Sequence, residues 1–139
     1  MRLRAIMFEA VAPLPVSNEW ADRATDHFRR ELAGDGLVGA VVEAADGRLA
    51  SCGVIRFDRL IPSPSNPSGR LAYISSMCTD YPYRRRGLAR QVLARLLDEA
   101  FARGIERIEL HAAPDGVTLY RSAGFVERVG GTEMRLERP

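Results

Sequence analysis

An arginine-rich segment around one glycine is the part of this sequence in which residue types and spacing most directly imply chemistry. Residues 83–90 read Tyr-Arg-Arg-Arg-Gly-Leu-Ala-Arg, and apolar residues at helical spacing follow from Leu88 to Phe101. Gly87 is therefore expected in the first turn of a helix, where backbone N–H groups lack partners and the helix dipole is positive. A glycine there lets an anion approach closely. The segment predicts a binding site for a diphosphate.

Two strand-like runs and a second motif surround this segment. Residues 71–79 predict a strand before the arginines, and residues 105–112 predict another after the helix. Residues 84–89 resemble the acetyl-CoA signature Arg/Gln-x-x-Gly-x-Gly/Ala of the GNAT acetyltransferase superfamily. Residues 119–125, Leu-Tyr-Arg-Ser-Ala-Gly-Phe, resemble its Leu-Tyr-x-x-x-Gly-Phe element, a short helix followed by a strand. The motifs occur in the family order, and the resemblance covers about residues 37–137.

The resemblance implies an α/β (α+β) fold, with a single GNAT-like domain over residues 1–139 and a mixed, mostly antiparallel, twisted sheet flanked by helices. In the superfamily the fourth and fifth strands, here residues 71–79 and 105–112, splay apart to admit pantetheine, and a bulge in the former would free backbone N–H groups. Relatives usually open with a strand, whereas a helical apolar stripe begins here at Leu3. The usual first strand is therefore expected to be missing. Because an uncovered edge strand favours pairing, we expect a homodimer.

Periodicity and turn residues predict the remaining elements. Helices are expected from the N-terminus to Pro13 and from about Ser17 to Leu32. Strands are expected over residues 37–44 and 49–57, joined by a tight hairpin at Asp46-Gly47. Residues 58–69 are too rich in proline for regular structure. Residues 125–127 and 133–136 predict a final hairpin or paired strands.

The resemblance also implies how acetyl-CoA is bound. By position, the backbone amides of residues 77–79 would pair with pantetheine and polarise the thioester carbonyl. The arginine segment would hold the diphosphate, mainly through main-chain N–H groups. Asp115 lies where relatives often have an asparagine contacting pantetheine, and its alternative role is to cap the following helix. The predicted acetyl-CoA-binding residues are Met77, Cys78, Thr79, Arg84, Arg85, Arg86, Gly87, Leu88, Ala89, Arg90 and Asp115.

Tyr120 matches the family tyrosine that protonates the departing CoA thiolate. A phenol is a neutral donor at pH 7 and suits that role, and the alternative is that Tyr120 only packs. No general base is assigned; the carboxylates and histidine that qualify by type are Glu109, His111, Asp80, Asp115 and Glu133. Cys78 lacks a histidine nearby in sequence, so direct transfer in a ternary complex is favoured over an acyl-cysteine route.

The resulting functional prediction is an acetyl-CoA-dependent N-acetyltransferase that acts on a primary amine. A small-molecule amine and a peptide amine both remain open as acceptors, because the fold does not choose between them. One alternative is a catalytically silent acyl-CoA-binding regulatory module. Another is a nucleic-acid binder that uses the arginine segment, which the absence of interleaved aromatic stacking residues disfavours.

Composition limits the remaining classes. The 139 residues contain 20 basic residues, all arginine, so the chain has no lysine side chain of its own to acetylate. A net charge of +2 gives no independent reason to expect a nucleic-acid partner. No apolar run approaches a membrane span, and the N-terminus lacks a secretory pattern. The 2 cysteines form neither a disulfide framework nor a metal motif, so we expect a cytoplasmic protein without a metal.

Overall fold

One mixed sheet forms the centre of the molecule in a computed structural model that describes residues 1–11, 19–128 and 134–136. Within those residues the strands are β1 (Leu37–Glu43), β2 (Leu49–Arg59), β3 (Arg70–Thr79) and β4 (Ile108–Leu110), in the sheet order β1-β2-β3-β4. The helices are α1 (Arg2–Val11), α2 (Glu19–Glu31), α3 (Leu88–Ala102) and α4 (Val117–Ser122). Short 3₁₀ turns occupy Tyr81–Tyr83 and Pro114–Gly116.

The sheet is antiparallel except at β4. β1 pairs with β2 and β2 with β3 in antiparallel register, whereas β4 lies parallel to β3. Gly47 adopts φ +78° in the turn between β1 and β2, and Ala44 N–H donates to the Arg48 carbonyl at 2.8 Å, which confirms the predicted hairpin. Within the described residues no strand precedes α1 and β1 pairs only with β2. The helix predicted at the N-terminus is confirmed, and the homodimer stays a prediction.

Helices α1 and α3 cover opposite faces of the sheet. A Cβ at Gly53 of β2 would lie 2.9 Å from Val92 of α3, so this residue faces α3 and leaves room for its side chains. The neighbouring Cys52 points the other way, where it interacts with the charges of Arg2 and Arg4 on α1. The principal core lies on the α3 face, and its fully buried large side chains are Ile55, Ile74, Val92, Leu93 and Leu96.

Helix α3 ends where its sequence predicts. Gly104 adopts φ +66° and donates its N–H to the Phe101 carbonyl at 2.9 Å, while Ile105 N–H donates to the Ala100 carbonyl at 3.0 Å. These two bonds form a Schellman motif, which requires a left-handed residue that glycine adopts without strain. Ile105 is buried beside the helix end. It therefore terminates α3 and does not begin a strand, so the strand predicted over residues 105–112 is confined to Ile108–Leu110.

Several other boundaries differ from the sequence predictions. β2 extends to Arg59, because Asp58 and Arg59 continue to pair with β3. The described residues of the C-terminal segment, 125–128 and 134–136, form no strand, whereas Glu133 and the two glycines before it lie outside the described residues. Ser17 and Pro13, the expected ends of the two N-terminal helices, also lie outside them. No helix of the described segments has the length and apolarity needed to cross a bilayer.

Candidate active site

A bulge in β3 opens the sheet beside β4. Ser76 and Met77 together oppose Gly53 of β2, and Ser76 adopts φ +55°, a left-handed conformation that is uncommon for a residue other than glycine. Pairing between β3 and β4 stops at Ile74 and Leu110. Among the residues that the structure describes, no strand therefore lies beside the last residues of β3 on the β4 side, as the resemblance implied.

The exposed edge of β3 presents backbone donors. Asp80 N–H donates to the Ala50 carbonyl at 2.9 Å and so points towards β2, and Cys78 N–H is directed at the Cys52 sulfur. Because successive N–H groups of a strand alternate in direction, the amides of Met77 and Thr79 point away from β2. Of the three amides predicted to contact pantetheine, the geometry therefore directs two into the open edge.

Two arginine side chains of the segment after β3 fold back onto neighbouring groups. The Arg84 guanidinium carbon lies 3.9 Å from the centroid of the Tyr81 ring, and Arg84 Nε donates to the Thr79 carbonyl at 3.0 Å. Arg86 lies 5.8 Å from the ring of Tyr83, whose hydroxyl donates to Asp46 at 2.9 Å. Arg84 and Arg86 are thus held by aromatic rings, and the main chain forms the face that leads into α3.

Gly87 is the N-cap of α3, not a residue of its first turn as the sequence predicted. It adopts φ +76°, and a Cβ at this position would meet no atom within 4 Å. Glycine is therefore required for the backbone conformation and leaves open space in front of the helix. The first helical bond runs from Gln91 N–H to the Gly87 carbonyl, and no side chain caps this end. Three N–H groups thus remain available to an anion, those of Leu88, Ala89 and Arg90.

Tyr120 owes its position to the end of α4. Phe125 N–H donates to the Tyr120 carbonyl and Gly124 N–H to the Arg121 carbonyl, both at 3.0 Å, with Gly124 at φ +94°. This is a second Schellman motif, and the Phe125 ring packs edge-on against Tyr120 with 5.9 Å between centroids. The glycine and phenylalanine of the motif thus fix the tyrosine. The strand expected after them is not formed at residues 125–128.

The Tyr120 side chain is buried but its hydroxyl is unengaged. The residue is 9% exposed, and burial raises the pKa of its phenol above the ordinary value. Among the described residues the hydroxyl has no hydrogen-bond partner, and it is not one of the fully buried atoms without a partner. The phenol therefore stays protonated at neutral pH and has access to solvent or a ligand.

Asp115 lies near this tyrosine in sequence but makes no cap. It is an exposed residue of the 3₁₀ turn Pro114–Gly116, and neither that turn nor α4 receives a side-chain capping bond. The alternative role of Asp115 as a helix cap is therefore wrong. Its carboxylate is free of this function, and its predicted contact with pantetheine stays a prediction.

Two residues considered for acid–base or nucleophilic chemistry are unsuited to it. Asp80 is buried and accepts a hydrogen bond from Arg2, which holds the pKa of its carboxyl below the usual range. Burial raises the pKa of the Cys78 thiol to about 11. Neither group is a useful base or nucleophile at neutral pH. Glu109 pairs in register with Tyr73 in the sheet, His111 is exposed beyond β4, and Glu133 lies outside the described residues.

One residue that the sequence did not single out lies on the other face of the bulge. Arg4 of α1 donates from Nη1 to the hydroxyl of Ser76, and its guanidinium carbon lies 5.0 Å from the Phe8 ring. It lies 6.0 Å from the ring of Trp20 and 5.6 Å from that of Phe28, both on α2. Phe8 follows Arg4 by one helical turn, which is the only local signal for this arrangement.

Comparison with known proteins identifies the family. Residues 4–125 match the model of the acetyltransferase (GNAT) family. Glucosamine 6-phosphate N-acetyltransferase 1 of Oryza sativa subsp. japonica is 30% identical over 122 residues, which cover 88% of this chain and 72% of the relative.

Solved structures of GNAT proteins agree with the fold. A predicted acetyltransferase of Clostridium acetobutylicum, solved with acetyl-CoA, superposes with a TM-score of 0.84 at 27% identity, and the match covers 96% of this chain and 86% of that protein. A GCN5-related N-acetyltransferase of Ralstonia eutropha JMP134 gives a TM-score of 0.81 at 25% identity, with 96% and 88% covered. The chain belongs to the GNAT family of acetyltransferases.

Proposed function

We propose that this chain transfers the acetyl group of acetyl-CoA to a primary amine, by direct attack within a ternary complex. The observation that supports this best is the open β3 edge, which leads within a few residues to the uncapped N-terminus of α3. One set of backbone donors suits a diphosphate, and the other suits an amide-bearing arm that ends in a thioester. Their continuity along the chain matches a ligand that contains both groups.

The diphosphate half of the ligand fits the turn before α3. Gly87 leaves open space, and the unpartnered N–H groups at the start of α3 point towards it. The helix dipole adds a favourable interaction of about 0.3–1 kcal/mol for a negative group at this end. Arg85 and Arg90 are exposed beside it and supply further positive charge.

The reacting half of the ligand is assigned to the open edge of β3, with Tyr120 as the acid. Acetyl-CoA supplies an acyl carbon activated as a thioester. The Met77 and Thr79 amides stabilise the negative charge that develops on the thioester oxygen as the amine nitrogen attacks. The C–N bond forms, the C–S bond breaks, and the amine gives its surplus proton to water. Tyr120 donates its phenolic proton to the departing thiolate and regains one from solvent.

Direct attack is favoured over an acyl-enzyme. Cys78 is buried, and the thiol pKa of about 11 leaves it protonated at neutral pH. A thiol reacts as its thiolate, so Cys78 is a poor acyl acceptor. Holding the amine beside the thioester supplies the rate enhancement instead.

The test is an amine-dependent thiol-release assay. Purified protein is incubated with acetyl-CoA and a panel of small primary amines and peptides, with free thiol measured by colour and products by mass spectrometry. Glucosamine 6-phosphate belongs in the panel, because the rice relative is named for that acceptor. The proposal requires thiol release that depends on the amine and yields its acetamide.

Two other results would contradict it. Saturable acetyl-CoA binding without thiol release for any amine identifies the catalytically silent acyl-CoA-binding module. No acetyl-CoA binding, together with nucleic-acid binding that falls steeply with salt, identifies the arginine segment as a phosphate-backbone site.

A further inference from the structure

Arg4 places a positive charge in an aromatic wall beside the β3 bulge. Its guanidinium contacts the rings of Phe8, Trp20 and Phe28 and reaches across to Ser76. Ser76 is the left-handed residue of the bulge and immediately precedes Met77. The guanidinium therefore lies on the α1 face of the sheet at the point where the strand opens.

The charge of Arg4 is incompletely compensated. Its Nε is buried and has no hydrogen-bond partner, and burial lowers the pKa of the guanidinium. No carboxylate of the described segments forms an ion pair with it, whereas Arg2 on the same helix pairs with Asp80. Removing a cation from water is costly unless a partner is supplied, and aromatic faces compensate only in part.

The free donors of Arg4 have a defined geometry. Nη1 donates to Ser76, so the edge formed by Nε and Nη2 makes no hydrogen bond with any described residue. Nη2 is not among the buried atoms without partners, so solvent reaches it while Nε lies behind. An accessible guanidinium donor without a partner can form a charge-assisted hydrogen bond with a carboxylate or phosphate, one of the strong kinds of hydrogen bond.

We propose that Arg4 binds an anionic group, a carboxylate or a phosphate, on the amine acceptor. This inference rests on the proposed acetyl transfer. The backbone donors at the start of α3 already suit the diphosphate, so Arg4 on the α1 face is available to the second substrate. An anion at Arg4 lies beside Ser76. The next residue is Met77, and the Met77 amide faces the open edge. The acceptor class is therefore a primary amine joined to an anionic group by a short spacer.

Binding at Arg4 can be measured without catalysis. Trp20 is the only tryptophan of the chain, and its ring lies 6.0 Å from the Arg4 guanidinium carbon, so its fluorescence reports on an anion bound there. O-phosphoethanolamine and β-alanine are titrated at constant ionic strength, with ethanolamine and β-alaninamide as uncharged-end controls. A saturable change with either anionic amine and with neither control supports the inference. The two anionic arms distinguish phosphate from carboxylate.

Variants test whether Arg4 is responsible. Arg4→Met keeps an unbranched side chain against the aromatic wall without the charge and is expected to abolish the fluorescence change. Arg4→Lys keeps the charge but replaces the planar guanidinium that lies against the rings and Ser76, and is expected to weaken binding about 10-fold or more. Arg2→Gln is the matched control, because it removes a cation of α1 that already has a carboxylate partner, and it should bind like wild type. Circular dichroism confirms that each variant is folded.

Kinetics separates the two proposals. With wild type, kcat/KM for O-phosphoethanolamine or β-alanine should exceed that of its control amine about 10- to 100-fold, and Arg4→Met should remove this preference by raising KM.

Equal acetylation of charged and uncharged amines, unchanged by Arg4→Met, would overturn the role of Arg4 while leaving acetyl transfer intact. If none of the amines causes thiol release, acetyl transfer itself is overturned. A saturable Arg4-dependent fluorescence change would then still establish the anion site. No saturable change with either anionic amine in folded wild type would overturn the anion site.

Discussion

The two sides of the β3 bulge use different kinds of donor. At the open edge of β3 and the start of α3, the available groups are backbone amides contributed by one stretch of chain, from Met77 to Arg90. On the α1 side, the available donor is the Arg4 side chain, positioned by rings of two helices and by Ser76, a residue 72 positions away. A main-chain site tolerates changes in most of its side chains, whereas a side-chain site is lost with one substitution. In the site that we propose, the donor half therefore depends on backbone conformation and the acceptor half on residue identity.

The largest effect expected from this difference is at Gly87. Gly87→Val fills the open space before α3 and places a branched residue at φ +76°, so acetyl-CoA affinity should fall about 100-fold or more. Isothermal titration calorimetry measures the loss.

Gly104→Val is the matched control for that substitution. It imposes similar strain, about 1–2 kcal/mol, at the opposite end of the same helix, where φ is +66°. Its acetyl-CoA affinity should be unchanged. Equal affinities of the two variants would show that the open space at Gly87 is not used by the ligand.

A second prediction concerns the only side chain assigned to catalysis on the donor side. Tyr120→Phe keeps the ring contact with Phe125 but removes the phenol, so kcat should fall about 100-fold with acetyl-CoA affinity retained. Because burial raises the pKa of Tyr120, loss of wild-type activity through deprotonation of this residue should begin at a higher pH than for a free tyrosine. Tyr73→Phe, a half-buried tyrosine of β3, should retain full activity. Full activity of Tyr120→Phe would leave this tyrosine a packing role only.

A third prediction tests whether the Cys78 thiol carries the acetyl group. With a thiol pKa of about 11, only about one molecule in a thousand carries the thiolate at pH 8. Iodoacetamide should modify the native thiol far more slowly than the thiol of urea-unfolded protein. Mass spectrometry should find no acetylated enzyme after incubation with acetyl-CoA alone. An acetyl group on Cys78 that a later addition of amine removes would replace direct transfer with an acyl-enzyme route.

The smallest effect expected is on the attachment of α1 to the sheet. Arg2 lowers the pKa of Asp80, so this pair stabilises the fold above the unfolded-state pKa near 3.9, and the contribution is lost as pH falls through the lower folded-state pKa. Arg2→Gln should therefore be less stable than wild type in urea at pH 7, and the difference should shrink towards pH 2–3. A difference that does not change with pH would show that the ion pair is not its source.

The sequence predictions agree with the structure at turns that require a left-handed residue. Gly104 and Asp46-Gly47 predict their turns, because a left-handed residue needs glycine and leaves a visible motif. The bulge and the open β3 edge were predicted from the family resemblance, because no local pattern in β3 indicates them. The sequence predicts Gly87 within the first turn of α3, one residue too far into the helix. Hydrophobic periodicity does not distinguish the N-cap residue from the first helical residue.

Other features depended on competition between local and distant contacts. Ile105 and Phe125 have strand-forming side chains, but each closes a Schellman motif, and the helix end determines its conformation. For Arg4 the only local signal is Phe8, one helical turn away on α1. Its other partners lie on α2 and β3, and only the folded chain brings them around the guanidinium.

The central claim is that the open edge of β3 and the N-terminus of α3 together bind acetyl-CoA. Calorimetric titration of acetyl-CoA into the purified wild-type chain tests it most directly. We predict saturable one-to-one binding with a dissociation constant in the roughly micromolar range, about 8 kcal/mol. A folded protein that shows no saturable heat with acetyl-CoA would contradict the donor site.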